Sequence, residues 1–332
     1  MKPRTPLFNR YIAAIRRPWL RVGLSALLIL SAFSIVFLSN LTDNAMPSGG
    51  WRTLLIGPTV IAYVMMISPA LARTDEGVIA ALRPLIRISD AEFDRLTDKA
   101  TYTQPAHELA ACAVGFGFGI MMALPARPGF TAVWAGVFWL VTISMMYALL
   151  AWMVYAAIAG ARMTSALYRQ PMRVSVLDTA PFEVVGRQSL LLALAFIGGI
   201  TLSLVIGGVQ QSSLQGIGFW LSYAPIIAAP VIVFFLNMLA THRVLAQAKN
   251  QALADARRQL EGAGRNLVQQ LDEKQDASAL AAVVATLVAY EKRLTEARTW
   301  PYNTAMIRTL FLSVLVPIGT ILVQMIIKRF FL

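Results

Sequence analysis

Residues Ala113 to Met121 read Ala-Val-Gly-Phe-Gly-Phe-Gly-Ile-Met. Val-Gly-Phe-Gly is one residue away from the carbonyl-lined filter of potassium channels, in which backbone oxygens replace an ion's hydration shell. A filter needs extended backbone, a short pore helix ahead of it and a mouth on the outer face. Here the preceding TYTQPAHELAAC begins in a charged stretch, and the apolar run continues to Leu124 with no acid after it. Irregular backbone at membrane depth must also be shielded by protein or water. A regular helix escapes that demand. In a helix Gly115 and Gly119, four apart, form the small-residue face that admits a close neighbour, and Gly117 lies off it. The reading favoured here is a packing helix, with the filter as its competitor.

The other residues able to do chemistry are few. Gly198, Gly199, Gly207 and Gly208 in FIGGITLSLVIGG invite close helix approach, with Thr201 and Ser203 either lining a polar wall or bonding within the bundle. His107 and Glu108 stand at the edge of an apolar run, as a proton-sensing pair or as a helix start, where an acid favours the positive dipole end. Asn237 is the one strong polar group near the end of another run and reads as an interhelical hydrogen bond before a ligand. Asp90, Glu92, Asp94 and Asp98 could attract a divalent cation. Their spacing is not that of a calcium loop, and Arg87, Arg95 and Lys99 compensate them, so a solvated, salt-bridged face is expected. HExxH, GxSxG, the P-loop and a soluble GxGxxG unit are all absent from the sequence. Two histidines and one cysteine, Cys112, are too few for a Cys/His metal site, and one cysteine forbids an internal disulfide. No enzyme activity, cofactor or metal is expected.

The elements that must position these residues follow from the composition. Of 332 residues 57% are hydrophobic and 14% are charged, against about 25% in soluble domains. Charge is missing from Ser25 to Thr42, Leu54 to Leu71, Leu109 to Ala126, Pro128 to Ala161 and Gln188 to Thr241. About 20 apolar residues cross the hydrocarbon core as a helix. The expected fold is therefore all-α, a polytopic transmembrane bundle of six to seven spans. The first run does not read as a cleaved signal peptide, because the residues before it are too many and too polar.

A basic N-terminus, 1–22, precedes a first transmembrane hairpin, 23–72. Amphipathic helices follow over 73–107, where Val78, Ile79, Leu82, Leu85 and Ile86 recur at helical spacing. Ser89 and Glu92 form a capping-box pattern that starts a new helix there. A second membrane hairpin spans 108–160, a loop 161–188 and a third hairpin 189–240. Residues 242–298 then turn polar. Leu253, Leu260 and Leu267 recur every seven residues, and Leu280, Val283, Leu287 and Leu294 continue a stripe after DEKQDAS. This predicts an antiparallel helical hairpin, continuous with the sixth span, although Gly262 and Gly264 argue against one unbroken rod. A last apolar segment, 305–327, either spans or re-enters.

With the N-terminus inside, 25 of the 29 Lys and Arg residues fall on the inner side. That is a strong positive-inside bias, and it accounts for a net charge of +12 without nucleic acid. In the loop before the fifth span, Pro171 and Pro181 stop helices, while Arg169, Arg173 and Arg187 are placed to meet lipid phosphates.

Two stretches carry a resemblance. One is IAYVMMISPALARTDEGVIAALRPLIRISDAEFDRLTDKA. The other is VSVLDTAPFEVVGRQSLL, followed much later by RTWPYN and a final apolar segment. Together they resemble a family of uncharacterised bacterial multi-pass membrane proteins. Its members have a proline-containing loop before a span, and a charged helical region and a Trp-Pro motif before the last span. Leu177-Asp178 stands where the family has Asp-Leu, and Pro181-Phe182 replaces a Pro-Leu. The resemblance implies a bacterial cytoplasmic membrane location and this architecture, but brings no activity. The functional expectation is a scaffold, assembly or signalling component that meets itself or a protein partner through 242–298. The alternative is an oligomeric channel gated by that hairpin.

Overall fold

A computed structural model describes residues 18–41, 50–101, 105–124, 130, 132–172, 174–207, 217–273 and 276–331. Nine α-helices run through them: α1 Pro18–Leu41, α2 Gly50–Leu82, α3 Asp90–Thr101, α4 Pro105–Ala123, α5 Val133–Tyr168, α6 Ala180–Gly207, α7 Ile217–Asp272, α8 Ser278–Glu296 and α9 Thr304–Phe331. All except α3 and α8 carry a stretch long and apolar enough to cross a bilayer, seven among the described residues. The all-α membrane bundle expected from the sequence is the fold observed.

Burial decides which helices are central. In α2 and α5, 56% and 50% of the apolar stretch is buried, against 11% in α1. α2 touches α1, α5 and α6, while α6 also touches α7 and α9, and α4 leans on α5. Leu54, Val60, Ile61 and Val64 of α2 meet Trp139, Ile143, Met146 and Trp152 of α5 in the main core. On α1, Leu27, Leu30, Phe33 and Phe37 stay exposed, as residues facing acyl chains do.

Several boundaries differ from the sequence expectation for one reason. A helix has no cause to stop at the membrane surface while its next turns can still pack. α2 continues as helix past its charge-free run, through Arg73, Asp75 and Glu76 to Leu82, where Pro84 in the following 3-10 turn ends it. α5 likewise runs on to Tyr168, so the loop after it shrinks to 169–179. α7 is one helix of 56 residues, about 84 Å long, and passes through Gly262 and Gly264 unbroken. A Cβ at either glycine would meet nothing within 4 Å, so neither is there for close approach. α9 is continuous through Pro317.

The projecting ends of these helices build a second layer on one side of the bundle. Val78 and Leu82 of α2, Phe93 of α3, Leu167 of α5, Phe182 and Val185 of α6 and Leu245 of α7 share a core there. Ser89 Oγ accepts the Glu92 N–H at 3.3 Å and starts α3 as the capping pattern predicted. The segments after α2 and after α5 touch: Ile86 and Met172 form an isolated antiparallel bridge, and the Arg87 N–H donates to the Pro171 carbonyl at 3.0 Å.

Candidate functional site

Asp75 of α2 lies just past one charge-free run and Gln188 of α6 begins another. The two meet side by side, and Gln188 Nε2 donates to Asp75 Oδ1. Around the pair α2, α5 and α6 form a partly open cavity of about 60 Å³, lined by Ser68, Asp75, Trp152, Gly160, Thr164 and Gln188 among others. Ser68 and Thr164 donate their hydroxyl protons to the carbonyls of Val64 and Gly160, at 2.6 and 3.0 Å. Their oxygens keep lone pairs free, so the lining is rich in acceptors. The space admits a few waters or a small cation, far below the 300 Å³ or more of a typical organic ligand site.

The glycines stand at helix contacts. A Cβ on Gly115 would lie 2.5 Å from the Tyr147 carbonyl oxygen, and one on Gly119 would lie 2.6 Å from Ser144 Cα. Gly117 faces open space. The Gly-Phe-Gly stretch is thus a regular helix docked on α5. Gly198 and Gly199 lie against Tyr63 of α2, and Gly207 against Ile56. Thr201 and Ser203 donate to the carbonyls of Ile197 and Ile200 in their own helix, at 2.8 and 2.7 Å. Gly208 lies outside the described residues.

His107 and Glu108 point apart. His107 is exposed, whereas Glu108 is buried at 3% exposure in the first turn of α4. Neighbours on a helix do not face each other, so the structure does not bring them together as a pair. The side chain of Asn237 and all of Arg173 lie outside the described residues. Arg169 is exposed, and Arg187 is 4.0 Å from Glu183 one turn back. Asp90 is engaged by Arg83, whose guanidinium also lies 4.7 Å above the Phe93 ring. Among the described residues no three His, Cys, Asp or Glu side chains are grouped to hold a metal ion.

Sequence reasoning did not single out the Asp75–Gln188 pair. A signal existed: Asp75 is the second charge after one uncharged run, and Gln188 is the first residue of another, which places both at one depth.

A second constellation ties the projecting hairpin to the bundle. His242 of α7 stacks on Trp300, with ring centroids 4.0 Å apart and planes at 11°, and its Nδ1 is 3.2 Å from the Thr299 carbonyl oxygen. Tyr302 continues the aromatic column at 5.4 Å. A Cβ on Gly186 of α6 would strike the Pro301 carbonyl oxygen. The Trp-Pro segment is therefore a seat for α6 and α7.

Hairpin α7–α8 is closed at its base. Lys249 Nζ donates to the carbonyls of Thr295 and Ala297 at 2.6 and 2.9 Å, Arg257 pairs with Glu291 at 2.8 Å, and Ala256 and Leu294 are buried with Val176 of the loop. Leu253, Leu260, Leu267 and Leu287 lie in the half-buried seam. Val283 does not: it is 49% exposed, and Val284 takes the inward place. From Leu280, steps of four and three reach Val284 and Leu287, which keeps the stripe on one face.

Fold and site together define a multi-pass helical membrane protein with a long projecting helical hairpin. Comparison with protein families, with characterised proteins and with solved structures finds no match to this chain.

Proposed function

We propose that this is a non-enzymatic scaffold, assembly or signalling component of a bacterial cytoplasmic membrane, acting through hairpin α7–α8. One observation carries the reading. The hairpin stands clear of the apolar spans, yet Val268 and Leu271 on one face of α7 are each 59% exposed, and Val283 and Tyr290 on one face of α8 are 49% and 43% exposed. A two-helix hairpin has too little surface to cover both of its apolar stripes, and large side chains left in water mark an interaction face. The tight base at Lys249 and Arg257, joined to the aromatic column at His242, would pass strain from a bound partner into α6 and α9. The resemblance to multi-pass membrane proteins with a charged helical region before the last span supports the same architecture.

The channel alternative is less well served. Thr201 and Ser203 spend their hydroxyl protons within their own helix.

The experiment is the native mass of the full chain, extracted gently into lipid nanodiscs, for wild type and for Val268→Glu with Leu271→Glu. An assembly larger than one chain that falls to the lone-chain mass in the variant supports the proposal. A wild-type monomer, or an assembly indifferent to these charges, sinks it.

A further inference from the structure

Outside the bundle core, α5 and α7 leave a groove of about 560 Å³, bounded by Ala157, Ile158, Ala161, Arg162, Ser165 and Arg169 of α5 with Leu236 of α7. Its two ends differ in chemistry. Ile158 and Leu236 are 47% and 57% exposed and belong to uncharged runs, so they stand at hydrocarbon depth. Arg162 is the first charge after the run that ends at Ala161, and Arg169 lies two turns on, about 10 Å further along the same face. The small side chains of Ala157 and Ala161 keep the floor open.

Both arginines are exposed, and neither makes an ion pair or side-chain hydrogen bond with the described residues. A guanidinium binds phosphate oxygens in a two-pronged fashion, and basic pockets between membrane helices hold anionic headgroups.

We infer that this groove is a binding site for an anionic phospholipid. The phosphate lies between Arg162 and Arg169, with Ser165 as a further donor, and one acyl chain runs down past Ile158 and Leu236. Arg169 was expected to meet lipid phosphates from the sequence alone. The geometry adds Arg162 and an apolar channel beneath it, which together distinguish a lipid from a free anion.

The test reconstitutes the full chain in nanodiscs of equal parts phosphatidylcholine and phosphatidylglycerol and counts the lipids it retains by native mass spectrometry. Wild type should retain phosphatidylglycerol in preference to phosphatidylcholine. Arg162→Gln with Arg169→Gln should cut that preference about tenfold, the scale of losing charge-assisted hydrogen bonds. Ala161→Trp keeps both charges but fills the groove, and should cut it as well. Arg265→Gln with Arg293→Gln removes equal charge on the distant hairpin and should leave retention unchanged. The inference is overturned if wild type shows no preference, or if the groove variants retain the lipid as wild type does. It is equally overturned if the hairpin variant loses as much, or if inorganic phosphate alone displaces the lipid. Should the arginine variant fail to fold, Ala161→Trp gives the answer.

Discussion

Three glycines two residues apart have different jobs. At Gly119 an added methyl would press on Ser144 Cα at 2.6 Å, an atom of the backbone with nowhere to go. Gly119→Ala should therefore destabilise the fold by about 1–3 kcal/mol, as overpacking does. Gly117→Ala meets open space, and alanine is the better helix former by about 1 kcal/mol, so it should be neutral or stabilising. Thermal unfolding in one detergent, followed by loss of monodisperse elution, compares the two. Equal effects would remove α4 from its seat on α5. The spacing of Gly115 and Gly119 is legible in the sequence. Their partners are not, because Ser144, Ala148 and Ala151 are ordinary small residues until another helix is laid on them. Asp75 and Gln188 are hidden for a related reason: 113 positions separate them, and only the shared depth of their helices makes them neighbours.

At the scale of elements, hairpin α7–α8 depends on its base. Lys249 holds the last carbonyls of α8, a favourable place for a cation at a helix C-terminus. Lys249→Met keeps the stem and loses the charge. It should weaken local stability by about 1 kcal/mol, read as roughly fivefold faster hydrogen exchange across 290–297. No change there would mean that the contact is not made in the membrane. At the other end, the Asp276 carboxyl accepts the Ser278 N–H at 3.0 Å and interacts with its hydroxyl. These bonds hold the carboxyl below its ordinary value of 3.8. Because the folded value is the lower one, the contribution is complete above the ordinary value and is lost as pH falls through the folded one. The first turn of α8 should exchange its amides relatively faster on acidification below that range than it does in Asp276→Ala, which lacks the group. The seven-residue leucine spacing made this hairpin readable. The inward residue of α8 was misplaced by one, at Val283 for Val284, because both are valines and only the partner helix selects between them.

For the whole molecule, seven long apolar helices are what the bilayer has to cover, and α7 runs on past its charge-free part into the polar hairpin. The positive-inside bias predicts that hairpin on the cytoplasmic side. In a Cys112→Ser background, a cysteine at Gln270 should resist a membrane-impermeant thiol reagent in intact cells and react after permeabilisation. A cysteine at Trp51, at the opposite end of a span, should react in both. The reverse pattern would invert the topology and leave the fold as it is.

Some properties needed only the sequence. Runs without charge longer than the hydrocarbon core specify membrane helices, because each backbone polar group must be satisfied within its own segment there. Glycine spacing, the Ser89 cap and the leucine repeat are equally local. The tertiary structure alone decided which helices are central, that the Trp-Pro segment seats α6 and α7, and that Asp75 meets Gln188. It also placed Arg162 and Arg169 beside Leu236 across an open groove. In a bilayer lipid tails are as apolar as the helices, so hydropathy assigns no neighbours. Shape and the few polar contacts do, and those exist only once the chain is packed.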